Sequence, residues 1–112
     1  SVTAHGRIVY PYLGVRYTMI TPDFAAREGL GRDYGALVFG GGEEQAVLPD
    51  SPAQKAGIKE GDIILSFGGQ RVDEDHMLAG LIQRRNVGEE VMIRLFRNGQ
   101  EFEVKVKLEE RK

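Results

Sequence analysis

A chain of 112 residues with 41% hydrophobic and 29% charged residues has the size and composition of one self-sufficient globular domain, not of a disordered segment. With 15 basic against 17 acidic residues the net charge is -2, which supplies no global field to hold nucleic acid, and the absence of cysteine excludes disulfides, thiolate nucleophiles and thiolate-bound zinc. No apolar run approaches the roughly 18 residues that span a bilayer, so no direct membrane insertion is expected, and "SVTAHGRIV" lacks the apolar core of a signal peptide.

A start at Ser1 instead of Met leads us to expect a piece of a longer polypeptide. Residues 1–6 then read as a linker, 7–108 as the domain and 109–112, "EERK", as a frayed tail. Arg7 to Tyr10 reads as a short strand that Pro11 interrupts, and Leu13 to Ile20 as a second. In "TPDFAAREG" Thr21 is placed to cap a short helix, Pro22 to open it and Gly29 to stop it. "ALVF" (36–39) and "AVL" (46–48) are strand pieces separated by "GGGEEQ", a flexible insertion or a wide bulge between two halves of one strand.

In "PDSPAQKAGIKEGD", Ser51 and Pro52 open another short helix that Gly57 ends, and Gly61-Asp62 turns the chain into the strand "IILSF". From Asp73 to Arg85 the spacing of Met77, Leu78, Leu81 and Ile82 is helical and follows an acidic first turn. "EVMIRLFRNGQEFEVKVKL" alternates with period two around Asn98-Gly99, the strongest short-range hairpin signal. Five or six short strands with two or three helices predict an α+β, mainly β fold, a small partly open barrel or sandwich capped by helices.

Within "YLGV" (12–15) a glycine stands where a strand should be strongest. It marks either a bulge or close backbone approach, or a place where successive N–H groups point outward together and form a nest for an anion such as a peptide's terminal carboxylate. The apolar-Gly-apolar turn and strand, then "SPAQKAGIKEGDIILSFGGQRV", a helix, and "GEEVMIRLFRNGQEFEV" resemble a PDZ domain of the HtrA (Deg) family of trypsin-like serine proteases, over about Gly6 to Leu108.

The resemblance implies that Tyr12, Leu13, Gly14 and Val15 form the carboxylate-binding loop, with the N–H groups of Leu13, Gly14 and Val15 as donors. Val15 to Met19, with Arg16, Tyr17 and Met19, would be the strand edge that a peptide joins. A helix from about Glu74 to Arg85 would be the opposite wall, presenting Met77, Leu81 and Arg84 while Leu78 and Ile82 face the core. The implied partners are C-termini of peptides or unfolded proteins, the parent's own protease domain and, in the parent, other protomers of a homo-oligomer. No cofactor is implied, and the family's usual location is periplasmic or membrane-associated. The rival from another class is an assembly element of the same fold that contacts neighbouring domains and binds no free peptide; other PDZ-bearing membrane or tail-specific proteases would serve as its parent.

Two departures from the family stand out, the "GGGEEQ" insertion and His76, which precedes the first expected pocket residue. Catalysis within these residues is not expected, because Ser51 and Ser66 lack a nucleophile's strand-to-turn setting and His5 and His76 are the only histidines. "DEDH" (73–76) places neighbours that cannot all face one ion, so no metal site is expected. "GLGRDYG" (29–35) has Tyr34 where a dinucleotide loop needs glycine, and "GGG" runs into Glu43 and Glu44, which would repel phosphate.

Overall fold

A computed structural model describes residues 2–4 and 7–111 of the chain; Ser1, His5, Gly6 and Lys112, which belong to the expected linker and tail, lie outside the described residues. Strands β1 (Val2–Ala4) and β2 (Arg7–Val9) pair with each other, so part of the expected linker is an antiparallel ribbon. The main sheet has the order β4 (Tyr17–Met19), β5 (Ala36–Val38), β6 (Ile63–Phe67), β8 (Glu90–Arg97), β9 (Gln100–Lys107), with β7 (Gln70–Arg71) folded back on β6. The sheet is open, and β4 stands at one edge.

The first two helices form where their terminal residues supply the hydrogen bonds that a helix end lacks. Thr21 accepts from the N–H of Phe24 to start α1 (Pro22–Glu28), and Gly29 ends it in the left-handed region. Ser51 accepts from the N–H of Gln54 to start α2 (Pro52–Ala56), and Gly57 ends it the same way. Asn98 and Gly99 both have positive φ, the geometry of a tight hairpin turn, and behind them eight residue pairs run in register from Arg97 opposite Gln100 to Glu90 opposite Lys107.

Leu13, Val38, Ile64, Phe67, Leu78, Ile93, Leu95 and Leu108 are nearly inaccessible and form one core. Ile20, Ala25, Ile63 and Leu65 form a smaller cluster under α1. Asp62 is buried beside this framework, where Arg97 holds both carboxylate oxygens, Nε to Oδ1 at 2.7 Å and Nη2 to Oδ2 at 2.6 Å.

Three expectations change. The third helix, α3 (Leu78–Gln83), begins later than Glu74, because Asp73 closes a tight turn: its Oδ1 accepts from the N–H groups of Asp75 and His76 and lies 3.1 Å from the His76 ring nitrogen Nδ1. His76 is thereby tied to Asp73. The tail is not frayed at its start, since β10 (Glu109–Glu110) pairs with β3 (Pro11–Tyr12) and the N–H of Arg111 donates to the carbonyl of Tyr10. The segment 46–48 contributes one isolated bridge, Val47 opposite Val15, instead of a strand. Since β5 pairs with β4 just beyond it, residues 40–45 interrupt a single partner line along 15–19, which is the wide-bulge alternative.

Candidate functional site

Gly14 is a place of close backbone approach. Its φ is +91°, and a Cβ there would stand 2.2 Å from Cβ of Ser51, so the loop backbone lies directly on the start of α2. The loop's carbonyls are used to fix it: Leu13 accepts from the N–H of Ala53 and Gly14 from that of Leu48, both at 2.9 Å. Its N–H groups are not. None of the N–H groups of Leu13, Gly14 and Val15 donates to an acceptor among the described residues. Val15 faces Val47 as a pair that does not exchange bonds, because the flanking Arg16 N–H and Gly14 carbonyl make them, so Val15's own N–H and carbonyl point to the other side.

The same alternation continues into β4. The carbonyl of Arg16 accepts from Phe39 and the N–H of Ile20 donates to Gly35, so the even-numbered residues turn their backbone groups toward β5. The backbone groups of Tyr17 and Met19 therefore face outward along the sheet edge. Between this edge, the loop and α3 lies a cavity of about 220 Å3, lined by Pro11, Tyr12, Leu13, Gly14, Val15 and Tyr17 on one side and Ala79, Ile82 and Gln83 on the other, together with Leu48 and Arg111.

Six of the expected groove residues need separate placement. Tyr17 lines the cavity, and its hydroxyl accepts from the N–H of Ala79 at 2.9 Å. Arg16 turns the opposite way, with Nε 2.7 Å from Glu44 and Nη1 donating to the carbonyl of Gln45, so it fastens the 40–45 segment. Met19 packs against the core further along the strand. On α3, Met77 is the residue before the helix and is half exposed, Leu81 is buried in the core and Arg84 is an exposed end residue. The expectation that Met77, Leu81 and Arg84 line the wall is corrected to Ala79, Ile82 and Gln83. The physical reason is the late start of α3: with Leu78 wholly buried, positions 78, 81 and 82 take the core face, and the adjacent stripe 79, 82 and 83 faces the cavity.

Arg111 had no sequence signal, because only the pairing of β10 with β3 carries it to the loop. Its guanidinium has no hydrogen-bonded or ionic partner among the described residues, whereas Arg16 is already paired. The cavity thus combines three unused backbone donors, an apolar floor, a cation in its lining and an open strand edge, which together suit an extended chain ending in a carboxylate.

The sequence pattern of PDZ domains matches residues 11–108. This chain belongs to the PDZ domain family. It is 38% identical over 111 residues to a probable periplasmic serine endoprotease, DegP-like, of Marinomonas sp. (strain MWYL1), a match that spans 99% of this chain and 22% of that protein. A protein of the same description from Halomonas elongata is 33% identical over 101 residues, with 90% of this chain and 20% of that one covered. This PDZ chain therefore spans about a fifth of the length of these relatives. Among solved structures, the HtrA-type protease AlgW with a decapeptide superposes with a TM-score of 0.79 at 30% identity, over 96% of this chain and 31% of that one. The HtrA3 PDZ domain bound to a phage-derived ligand, FGRWV, gives 0.70 at 23% identity over 93% and 90%, a likeness of fold.

Proposed function

We propose that this PDZ chain binds the C-terminal segments of peptides and unfolded proteins by strand addition, and that in a periplasmic HtrA-like serine protease it recruits substrate or regulates proteolysis. The carrying observation is the set of unused N–H groups at Leu13, Gly14 and Val15, continuous with the outward-facing backbone of Tyr17 and Met19. A strand edge of this kind gains hydrogen bonds when an extended peptide lies along it. The peptide's last side chain enters the apolar cavity over Leu13, Val15 and Ile82, which suits a medium-sized apolar residue. The peptide-bound AlgW relative and the names of the DegP-like relatives support the same reading.

Calorimetry with one peptide in its free-acid and its C-terminally amidated form tests it. Hydrogen bonds to a charged group are worth about 1.5 to 3 kcal/mol, so the acid should bind roughly tenfold to a hundredfold more tightly. Equal affinities, or no binding of either form across a library of C-terminal sequences, would favour the assembly element instead.

A further inference from the structure

The first turn of α3 is held by a residue from across the cavity. Met77, the residue before the helix, provides no side-chain acceptor, and the hydroxyl of Tyr17 accepts from the N–H of Ala79 in its place. Tyr17 is half-buried, packs against the main core and lines the cavity together with Ala79. Its ring therefore bridges from the open strand edge to the helix, and it forms the wall of the cavity on the side away from the Leu13–Val15 donors.

We infer that Tyr17 restricts the third residue from the end of a bound C-terminus to small side chains. The inference rests on the peptide-binding reading above. Side chains of a strand alternate between its faces, so those entering the cavity side of an added strand belong to the last residue and to the residue two before it, about 7 Å away. Val15 and Tyr17 share one face of the receiving strand with the same two-residue spacing. When the last side chain sits over Val15, the third from the end meets the Tyr17 ring. The ring is held at both its ends, by the strand and by the Ala79 N–H, and a large neighbour would have to break the bond that tethers it. Alanine, serine or glycine fits beside the ring, whereas leucine or phenylalanine overlaps it.

The test uses the described chain and two hexapeptides, Gly-Gly-Ser-Ala-Ser-Val and Gly-Gly-Ser-Phe-Ser-Val, each as free acid and as amide. The wild-type chain should prefer the alanine peptide at least about tenfold. Tyr17→Ala should reduce that preference below about threefold while the acid remains preferred over the amide. Tyr17→Phe keeps the ring but loses the tether and should narrow the preference to between the wild-type and Tyr17→Ala values, with faster exchange of the Ala79 amide proton as the sign that the tether is gone. Equal wild-type affinity for the two free acids, with the acid still preferred over the amide, overturns the role of Tyr17 and leaves the peptide-binding reading intact; an undiminished preference in Tyr17→Phe overturns it too. Failure of both acids to outbind their amides overturns the reading beneath it. If Tyr17→Ala melts below the assay temperature, the wild-type and Tyr17→Phe measurements still decide.

Discussion

Gly14 and Ser51 touch so closely that the space for a side chain on Gly14 is already occupied by the Ser51 Cβ. Ser51 is itself fully buried and caps α2, so it has nowhere to retreat. Gly14→Ala should destabilise the domain by at least about 2 kcal/mol, since the positive φ and the overlap act together. Ser51→Gly in the same chain should recover only part of this, because it relieves the overlap but removes the cap. Urea denaturation of the single and double variants measures both; a change below about 0.5 kcal/mol for Gly14→Ala would mean that the loop yields easily.

The corrected face of α3 gives opposite outcomes at neighbouring positions. Ala79 is exposed at the cavity rim, so Ala79→Trp should leave the melting temperature within a few degrees of wild type and weaken peptide binding roughly tenfold or more. Leu81 is only 7% exposed, so Leu81→Arg should unfold the domain, its charge having no partner in the core. A folded Leu81→Arg variant that had merely lost peptide binding would restore the earlier register of the helix.

Arg111 should make peptide binding sensitive to salt. Free backbone donors alone would hold a carboxylate with little dependence on ionic strength, but a guanidinium lining the cavity adds a screened attraction. Arg111→Gln should weaken the acid peptide roughly two- to fivefold at low salt and flatten the salt dependence, leaving the amide unaffected. Titrations at two salt concentrations check this, and an unchanged salt slope would remove Arg111 from the site.

Asp62 is buried with both oxygens on Arg97 and a further bond from the N–H of Lys59 at 2.9 Å. Asp62→Ala leaves the Lys59 N–H without its acceptor and the Arg97 guanidinium with only the Gly57 carbonyl, and should lower stability by about 2 to 4 kcal/mol. Denaturant titration with an unchanged slope is the expected form of the result. A loss below about 1 kcal/mol would show that water replaces the carboxylate.

Glu101 links two arginines, with Arg94 Nε 2.8 Å from one oxygen and Arg32 Nε and Nη2 at 3.0 and 2.8 Å from the other. These hydrogen bonds, that of Arg94 first, hold its carboxyl below the usual glutamate range. A lowered folded-state value stabilises the fold above the unfolded glutamate value, about 4.3, and that contribution disappears as pH falls through the folded value. Glu101→Gln should therefore be less stable than wild type at pH 7, and the difference should shrink toward pH 3. Thermal melts at the two pH values test the sign; a constant difference would mean that the carboxylate's charge is immaterial.

Local chemistry made much of this protein legible from its residues. Thr21, Ser51, Pro22, Pro52, Gly29 and Gly57 announce α1 and α2 because helix ends need side-chain acceptors and left-handed stops close to them in sequence, and Asn98-Gly99 announces its hairpin for the same local reason. The YLGV loop was legible because its glycine, order and spacing belong together. The face of α3 was not. Met77, Leu78, Leu81 and Ile82 satisfy helical spacing in either phase, and only the Asp73 turn and the burial of Leu78 choose between them. Arg111 and the Tyr17–Ala79 bond join residues far apart in the chain, so their geometry exists only once β10 has paired with β3 and α3 has docked opposite β4. Local signals thus specified the elements and the loop, while packing between distant segments decided which side chains meet in the cavity.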